Sequence, residues 1–581
     1  MDEMERETDS KTAMLLWLLA VSVLAGLLRL IGLGSASLTM NEAENAVAAL
    51  HLFDGGSTGQ MLYALPTALM FKALDSSEFT ARLFPALMGI FLSILPLLAY
   101  RKIGLRKAAI LSFLLACDPV LLFWSKRADA VIPAITLIAA AVVLLGLEKK
   151  TASAVCFLLS LGGGERVWPV ILILSLCLAI RAFVFKMDLK TLNFRSRDLF
   201  AAFLLPVLFY CAFGFFPGGL SGIGTGFVYS FKPGAAWAFP GLNAELAAVV
   251  LYCGIPLLLS VYRAFRENRI PFLLISLAAG CGLLLWHGVI MLPWISLLLW
   301  YDASETLPGL MKCLNGQKGF AFYMPAMVVC GAWSFFYFRL VELFRQTNGS
   351  EPLQMTWNGT VQTLPLTRFG GALLLTIVSA LIIVLIVRIL MGFVESAMIR
   401  KGITCGFLVV LSWGLLTGIW NAGGFDREGD HPASAHLKNT ASVLNGAYTS
   451  FIDSGLFDLL SDTITKHGDF RNTNFGLNFI ADDPMMAWVL RNEKGIRTTA
   501  NLQSDLSGVD LMLDNSGASF ESAGYVRTQQ PWRGTMDWTR FSFQDWGKWL
   551  IFGDARITND VPVTLWVRAD YVFSSAEPEA E

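Results

Sequence analysis

Two acids and two amides crowd one short stretch of this chain: Asn41, Glu42, Glu44 and Asn45, in Thr-Met-Asn-Glu-Ala-Glu-Asn-Ala. They follow directly on the first long apolar run, 12–33, which is long enough to cross a bilayer. Carboxylates held at a membrane boundary are costly to desolvate and generally have a partner or a task. In a helix Asn41 and Asn45 stand at i,i+4 and Glu42 and Asn45 at i,i+3, which groups them along one side. A solvated juxtamembrane loop with helix-capping residues would use the same residue types.

Further polar groups cluster at the ends of later apolar runs: Lys126, Arg127 and Asp129, then Glu165 and Arg166 after three glycines, then Lys232, then His287 ahead of Pro293-Trp294. Acids and cations together at membrane level suit one class of chemistry. A lipid-phosphate sugar donor leaves its sugar at the interface. A carboxylate can take the proton of an acceptor hydroxyl as it attacks the anomeric carbon. Cations can stabilise the phosphate leaving group as its charge develops. Each group also has a plainer use. Asp129 can pair locally with Lys126 or Arg127, Glu165 with Arg166, and His287 can be an interfacial residue with a hydrogen-bond partner.

The elements that must position these groups are apolar. The chain has 581 residues, of which 55% are hydrophobic and 15% charged, against about a quarter charged in soluble proteins. Runs of membrane-spanning length follow one another, which specifies a polytopic α-helical membrane protein of about thirteen spans. A net charge of −1 makes no case for nucleic acid. Residues 1–11 lack the basic stretch and cleavage site of a signal peptide, so 12–33 is expected to stay as an anchor behind a cytoplasmic tail. The nine cysteines show no metal-ligand spacing, and their odd number argues against a disulfide framework; they read as small buried hydrophobes. Residues 60–74, short and carrying Pro66 and Lys72, read as an interfacial helix.

Basic clusters at 101–107, 148–150, 181–197, 263–269 and 400–401 belong on the cytoplasmic side by the positive-inside rule. One orientation satisfies all five. It places 34–78, 124–130, 162–166, 217–241, 287–291, 339–370 and everything after 421 outside. The domains are then the tail 1–11, a transmembrane domain 12–421 with the acidic external loop 34–78, and an extracytoplasmic domain 422–581. Strand-like alternation at 477–481, 509–513 and 563–573 around a helix starting at Asp483-Pro484 gives that domain an α/β character. Its tryptophans 532, 538, 546, 549 and 566 can serve core packing or sugar stacking. The glycines of 217–241 are not a nucleotide loop, since no strand precedes them. A transporter is disfavoured, because charged residues are read as avoiding the middles of the spans apart from Arg388, and the sequence shows no paired broken helices in two related halves.

The order of these features resembles the integral-membrane C-type glycosyltransferases (GT-C), which include protein O-mannosyltransferases and lipid A aminoarabinose transferases. Their acidic pair after the first span falls here on Asn41-Glu42. Glu78-Phe-Thr-Ala-Arg82-Leu-Phe-Pro85 resembles the start of their second span. Asp118-Pro119, followed by Phe-Trp-Ser125-Lys-Arg127-Ala-Asp129, resembles their next external motif. Leu292-Pro293-Trp294, Trp488 with Arg491, and Val567-Arg568-Ala-Asp570 are similar to the subgroup linked to lipid-oligosaccharide flippase activity.

The resemblance implies a transferase in the cell membrane that moves a sugar from a polyprenyl-phosphate donor to an acceptor on the outer face. Glu42 would be the base, with Glu44 as its substitute. Asp129 would orient donor or acceptor, and Lys126 and Arg127 would face the phosphate. Asn41, Glu165, Arg166 and His287 would line the site. Some relatives use a divalent cation and others do not. The departure is Asn41, where the family pair begins with an acid; an amide cannot accept a proton at neutral pH. The same fold could therefore serve as a non-catalytic subunit that binds lipid or a membrane protein complex.

Overall fold

The structure, a computed structural model, describes most of residues 2–175, 196–230 and 291–314. It also describes parts of 253–281, 323–335, 374–389 and 401–416, strand residues within 352–367, 511–535 and 559–568, and Pro484, Trp488 and Arg491. The first apolar run is the helix α1, Asp2–Leu30. The acidic stretch is the helix α2, Met40–Leu50, and α3 follows at Met61–Leu74. α4, Glu78–Leu98, opens on a capping box in which Ser77 and Thr80 exchange side-chain and backbone hydrogen bonds. After a short helix α5, Tyr100–Ile103, come α6, Leu105–Cys117, and α7, Pro119–Ser125. Next stand α8, Val131–Gly146, and α9, Lys150–Ser160, then a 3-10 turn at Leu161–Arg166. α10, Ser196–Tyr210, α11, Gly219–Ser230, and α12, Leu292–Leu314, complete the longer helices described.

Two of these helices, from Thr12 to Leu30 and from Glu78 to Leu98, are individually long and apolar enough to cross a membrane. A bent pair, Leu105–Cys117 with Pro119–Ser125, meets the same criterion when taken together. The run 108–124, expected as one span, is two helices meeting at 59°. The cause is Asp118-Pro119: proline lacks an N–H and pushes the residue before it out of helical geometry. Asp118 has extended backbone and accepts the Leu121 N–H at 2.9 Å, so it caps the second half.

The break is held by buried charge. Arg29, fully buried on α1, donates to the carbonyls of Leu115 and Ala116 at 3.1 and 3.2 Å and to Ser125 Oγ at 3.2 Å. It thus satisfies the carbonyl end of α6, where helical partners run out. Asp118 accepts from Ser296 Oγ and Trp300 Nε1 of α12, both at 3.0 Å. Gly89 of α4 leaves the room: a Cβ there would lie 2.4 Å from Ser125 Oγ and 2.8 Å from Arg29 Nε. Charges therefore do enter the apolar runs. Arg29, Asp118, Asp302 and Glu305 all lie within them, contrary to the expectation that Arg388 is the exception. Each is partnered, Asp302 and Glu305 with Arg263, and Glu305 also with Lys107. Lys102 lies 4.0 Å from Glu148. Residues from the basic clusters 101–107, 148–150 and 263–269 thus interact with one another or through the acids of α12.

Other differences from expectation have local reasons. α3 is buried over most of its surface rather than lying with one face open, because α2 and α4 pack on it. The glycines of 217–241 partly form α11, and their missing side chains allow close backbone contact. Gly164, at φ +62°, sits where a Cβ would be 2.4 Å from the Gly59 carbonyl and faces Gly226. The loop 339–370 carries an unexpected antiparallel hairpin, β1, Pro352–Trp357, and β2, Thr360–Thr367. Asn358-Gly359 between them is the dipeptide that most favours a two-residue hairpin turn. In the C-terminal part β3, Leu511–Asp514, β4, Tyr525–Thr535, and β5, Asn559–Arg568, form an antiparallel sheet in the order β3-β5-β4. Trp566 on β5 is buried; Trp538, Trp546 and Trp549 lie outside the described residues. So do the expected strand 477–481 and the basic loop 181–195.

Replacing Asp118 by Ala leaves one indole N–H, one hydroxyl and one helix N–H without their acceptor. We expect a loss of about 3 kcal/mol, read as a drop in the thermal midpoint of the detergent-solubilised chain, with a smaller drop for Asp118→Asn.

Candidate functional site at the helix ends

α2 turns an alanine face inward, with Ala43, Ala46 and Ala49 fully buried. Glu42 and Asn45 lie beside that face and are buried with it, 3% and 9% exposed. The i,i+3 pair is therefore the one that points into the protein. Asn41 and Glu44 face outward and are exposed.

Glu42 is occupied. Arg82 of α4 grips it with Nε on Oε1 at 2.9 Å and Nη2 on Oε2 at 3.1 Å. The N–H of Ala128 donates to Oε1 at 3.0 Å, and Arg127 Nη1 to Oε2 at 3.4 Å. Both carboxylate oxygens are thus engaged by charged donors and a backbone amide. Arg82 also donates to the Leu33 carbonyl at 3.2 Å, tying α4 to the end of the first apolar run.

The loop 126–130 is fastened by side chains from α2 and from the N-cap of α3. Asn45 Nδ2 donates to the Ala128 carbonyl at 2.9 Å, and the Ala130 N–H donates to Gln60 Oε1 at 3.3 Å. The two polar stretches singled out from the sequence, 41–45 and 124–129, thus meet directly. Lys126 Nζ donates to the Ile31 carbonyl at 2.7 Å, and burial brings its pKa down to about 8. Arg127 lies 4.2 Å over the Phe123 ring; burial brings it to about 10, against the pull of Glu42.

Asp129 is buried, and burial raises its carboxyl above the usual range, opposed by the Arg166 guanidinium. Its Oδ1 accepts the Val131 N–H at 3.0 Å at the start of α8, and Oδ2 stands 3.4 Å from Arg166 Nε. That Nε is buried and makes no hydrogen bond. Arg166 Nη1 pairs with the half-buried Glu165 at 3.0 Å. The expected local pairs of Asp129 with Lys126 or Arg127 give way to this longer-range one, carried by the turn Leu161–Arg166. His287 lies outside the described residues.

A divalent cation would need carboxylates not already facing cations. Glu42 and Asp129 each face guanidinium, so these residues do not fit one, and among the described residues no group of three or more His, Cys, Asp or Glu could hold a metal ion. Arg82 and Gln60 are the residues that sequence reasoning did not single out for the site. Arg82 had a signal, as a lone cation in the first turns of an apolar run. Gln60, at the mouth of α3, had none.

No protein-family model matches the chain, and no curated protein does. Among solved structures, apo ArnT from Cupriavidus metallidurans aligns at a TM-score of 0.51 and 11% identity, over 97% of this chain and 99% of that one. The same protein bound to undecaprenyl phosphate aligns at 0.46 and 11%, over 96% and 99%. At this identity the likeness is one of fold. The chain is an α-helical membrane protein whose fold is similar to that of ArnT.

Glu42→Gln would leave the buried guanidinium of Arg82 without its counter-charge, at a cost of about 3 kcal/mol. The double variant Glu42→Met, Arg82→Met should recover part of the loss, since it removes the desolvation penalties of that pair while Arg127 and the Ala128 N–H still lose their acceptor. Thermal midpoints of the three variants in one detergent check this.

Proposed function

We propose that this chain is a glycosyltransferase of the cell membrane. It would take a sugar from a polyprenyl-phosphate donor and pass it to an acceptor on the outer face, with its N-terminus cytoplasmic and residues 422–581 outside. The observation that carries this reading is the junction of α2 with the loop 126–130. There, cations and a buried carboxyl of raised pKa lie beside the ends of apolar helices.

The roles follow from the chemistry. Lys126, partly exposed and donating to the Ile31 carbonyl, would face the donor phosphate, with Arg127 behind it. Asp129 would take the proton of the acceptor hydroxyl as its oxygen attacks the anomeric carbon and the sugar–phosphate bond breaks, the electron pair leaving with the phosphate. A carboxyl raised by burial is nearer to the operating pH and so better suited to proton transfer than an ordinary one. Arg166 would steady Asp129, and Glu165, half-buried, would approach the acceptor. Glu42 would act as the clamp that fixes the loop rather than as the base, because two guanidinium groups and an amide hold its oxygens, whereas Asp129 Oδ2 stands 3.4 Å from Arg166 Nε without a hydrogen bond. Asn41 and Glu44, exposed on the outer side of α2, would meet donor or acceptor from that face.

One observation favours a second reading. The residue in the place of the family's first acid is an exposed amide, and its neighbour Glu42 is bound up in the clamp. A non-catalytic subunit that binds lipid, or a membrane protein complex, would retain the clamp and need no base.

Two measurements decide. With the purified chain and a labelled polyprenyl-phosphate sugar, Asp129→Asn should lower turnover at least about 100-fold; unchanged turnover removes Asp129 from the chemistry. Lys126 has a depressed pKa of about 8, so it is charged below that pH and neutral above it. Binding of a polyprenyl phosphate should therefore weaken as pH rises through about 8, and Lys126→Arg should flatten the profile, since a guanidinium stays protonated there.

A further inference from the structure

The polar C-terminal part touches the site's support at one described place. Trp488 is 1% exposed and is buried in the same apolar cluster as Ala43, Ala46 and Ala49 of α2 and Ala128 and Ala130 of the loop. Its ring lies 5.7 Å from that of Phe71 on α3, and its indole N–H donates to Glu78 Oε1 on α4 at 3.1 Å. Arg491 lies 4.0 Å over the Trp488 ring and donates to Ser76 Oγ at 3.2 Å and to the Ser76 carbonyl at 3.0 Å. It also stands 3.8 Å from Glu78.

These contacts fall on the corner between α3 and α4. Asp75 there has φ +63°, a conformation that a residue with a side chain keeps only when its surroundings impose it. Thr80 Oγ1 donates to the Asp75 carbonyl at 2.9 Å, and Glu78 stands one turn ahead of Arg82 on α4. The corner therefore sets where α4 begins, and so where the Arg82 guanidinium meets Glu42.

We infer that Trp488 and Arg491 form a clip from the C-terminal part that locks the α3–α4 corner and thereby holds the Arg82–Glu42–Ala128 junction together. They are positioning residues. The clip holds the corner through Ser76 and the first residue of α4 through Glu78, and holds α2 and the loop 126–130 through shared apolar packing. This coupling does not depend on what the site transfers or binds.

Hydrogen exchange of the full chain in detergent tests it. Trp488→Ala should raise exchange in 40–50 and 126–130 roughly tenfold, the size expected when a hydrogen bond to a charged group and its packing are lost. Exchange in the hairpin 352–367 should stay as it was. Trp488→Phe keeps a ring in the cluster and removes only the indole N–H; it should raise exchange in the same two segments by less. That variant guards against loss of folding in Trp488→Ala. A rise confined to 71–78, or an equal rise in 352–367 with Trp488→Phe, would overturn the inference.

Discussion

A buried ion pair between Glu42 and Arg82 organises this molecule's candidate site. Neither charge could be left in a low-dielectric setting alone, since an uncompensated buried ion costs several kcal/mol. Their bidentate contact solves that problem and fixes geometry at the same time. Arg82 brings the start of α4 to the carbonyl of Leu33, and Glu42 brings α2 to the N–H of Ala128. Three chain segments far apart in sequence are thereby held in one place. Lys126 and Asp129 are carried on the loop so pinned.

The same logic recurs deeper in the helices. At the break between α6 and α7 the backbone loses its helical partners in an apolar setting, where unsatisfied groups are expensive. Arg29 answers the carbonyl end and Asp118 the amide end. Ser125 links the two regions: it accepts from Arg29 and closes α7 immediately before Lys126. The loop 126–130 is thus held from the membrane side by Arg29 and from the α2 side by Glu42 and Asn45. A loop restrained on both sides can keep a cation and an acid in fixed relation, which is what preorganised electrostatic catalysis or lipid-phosphate binding requires.

Parts of this were readable in the sequence. The i,i+3 spacing of Glu42 and Asn45 correctly paired the two residues that turn inward, whereas the i,i+4 spacing of Asn41 and Asn45 did not, because the alanine face of α2 rotates Asn41 outward. Apolar runs gave α4 and the end of α1 within a few residues, whereas α1 starts at Asp2, in the stretch read as a tail, rather than at Thr12. Asp118-Pro119 carried the signal for a helix break, yet the apolar residues on both sides read as one continuous span. Asn358-Gly359 likewise carried the hairpin in a stretch read only as a loop. The partner of Asp129 was not legible. Local spacing points to Lys126 or Arg127, and only the packing of the Leu161–Arg166 turn against α3, α8 and α11 brings Arg166 up. Nor could any local pattern show that Trp488 meets Glu78, 410 positions away.

The account stands or falls on whether the pinned loop is where a lipid phosphate binds. A structure determined in lipid nanodiscs with a polyprenyl phosphate present tests that directly. The account predicts the phosphate within hydrogen-bond reach of Lys126 Nζ, with Glu42 still gripped by Arg82 and the Ala128 N–H. A phosphate bound elsewhere, with Lys126 remaining on the Ile31 carbonyl, would contradict it.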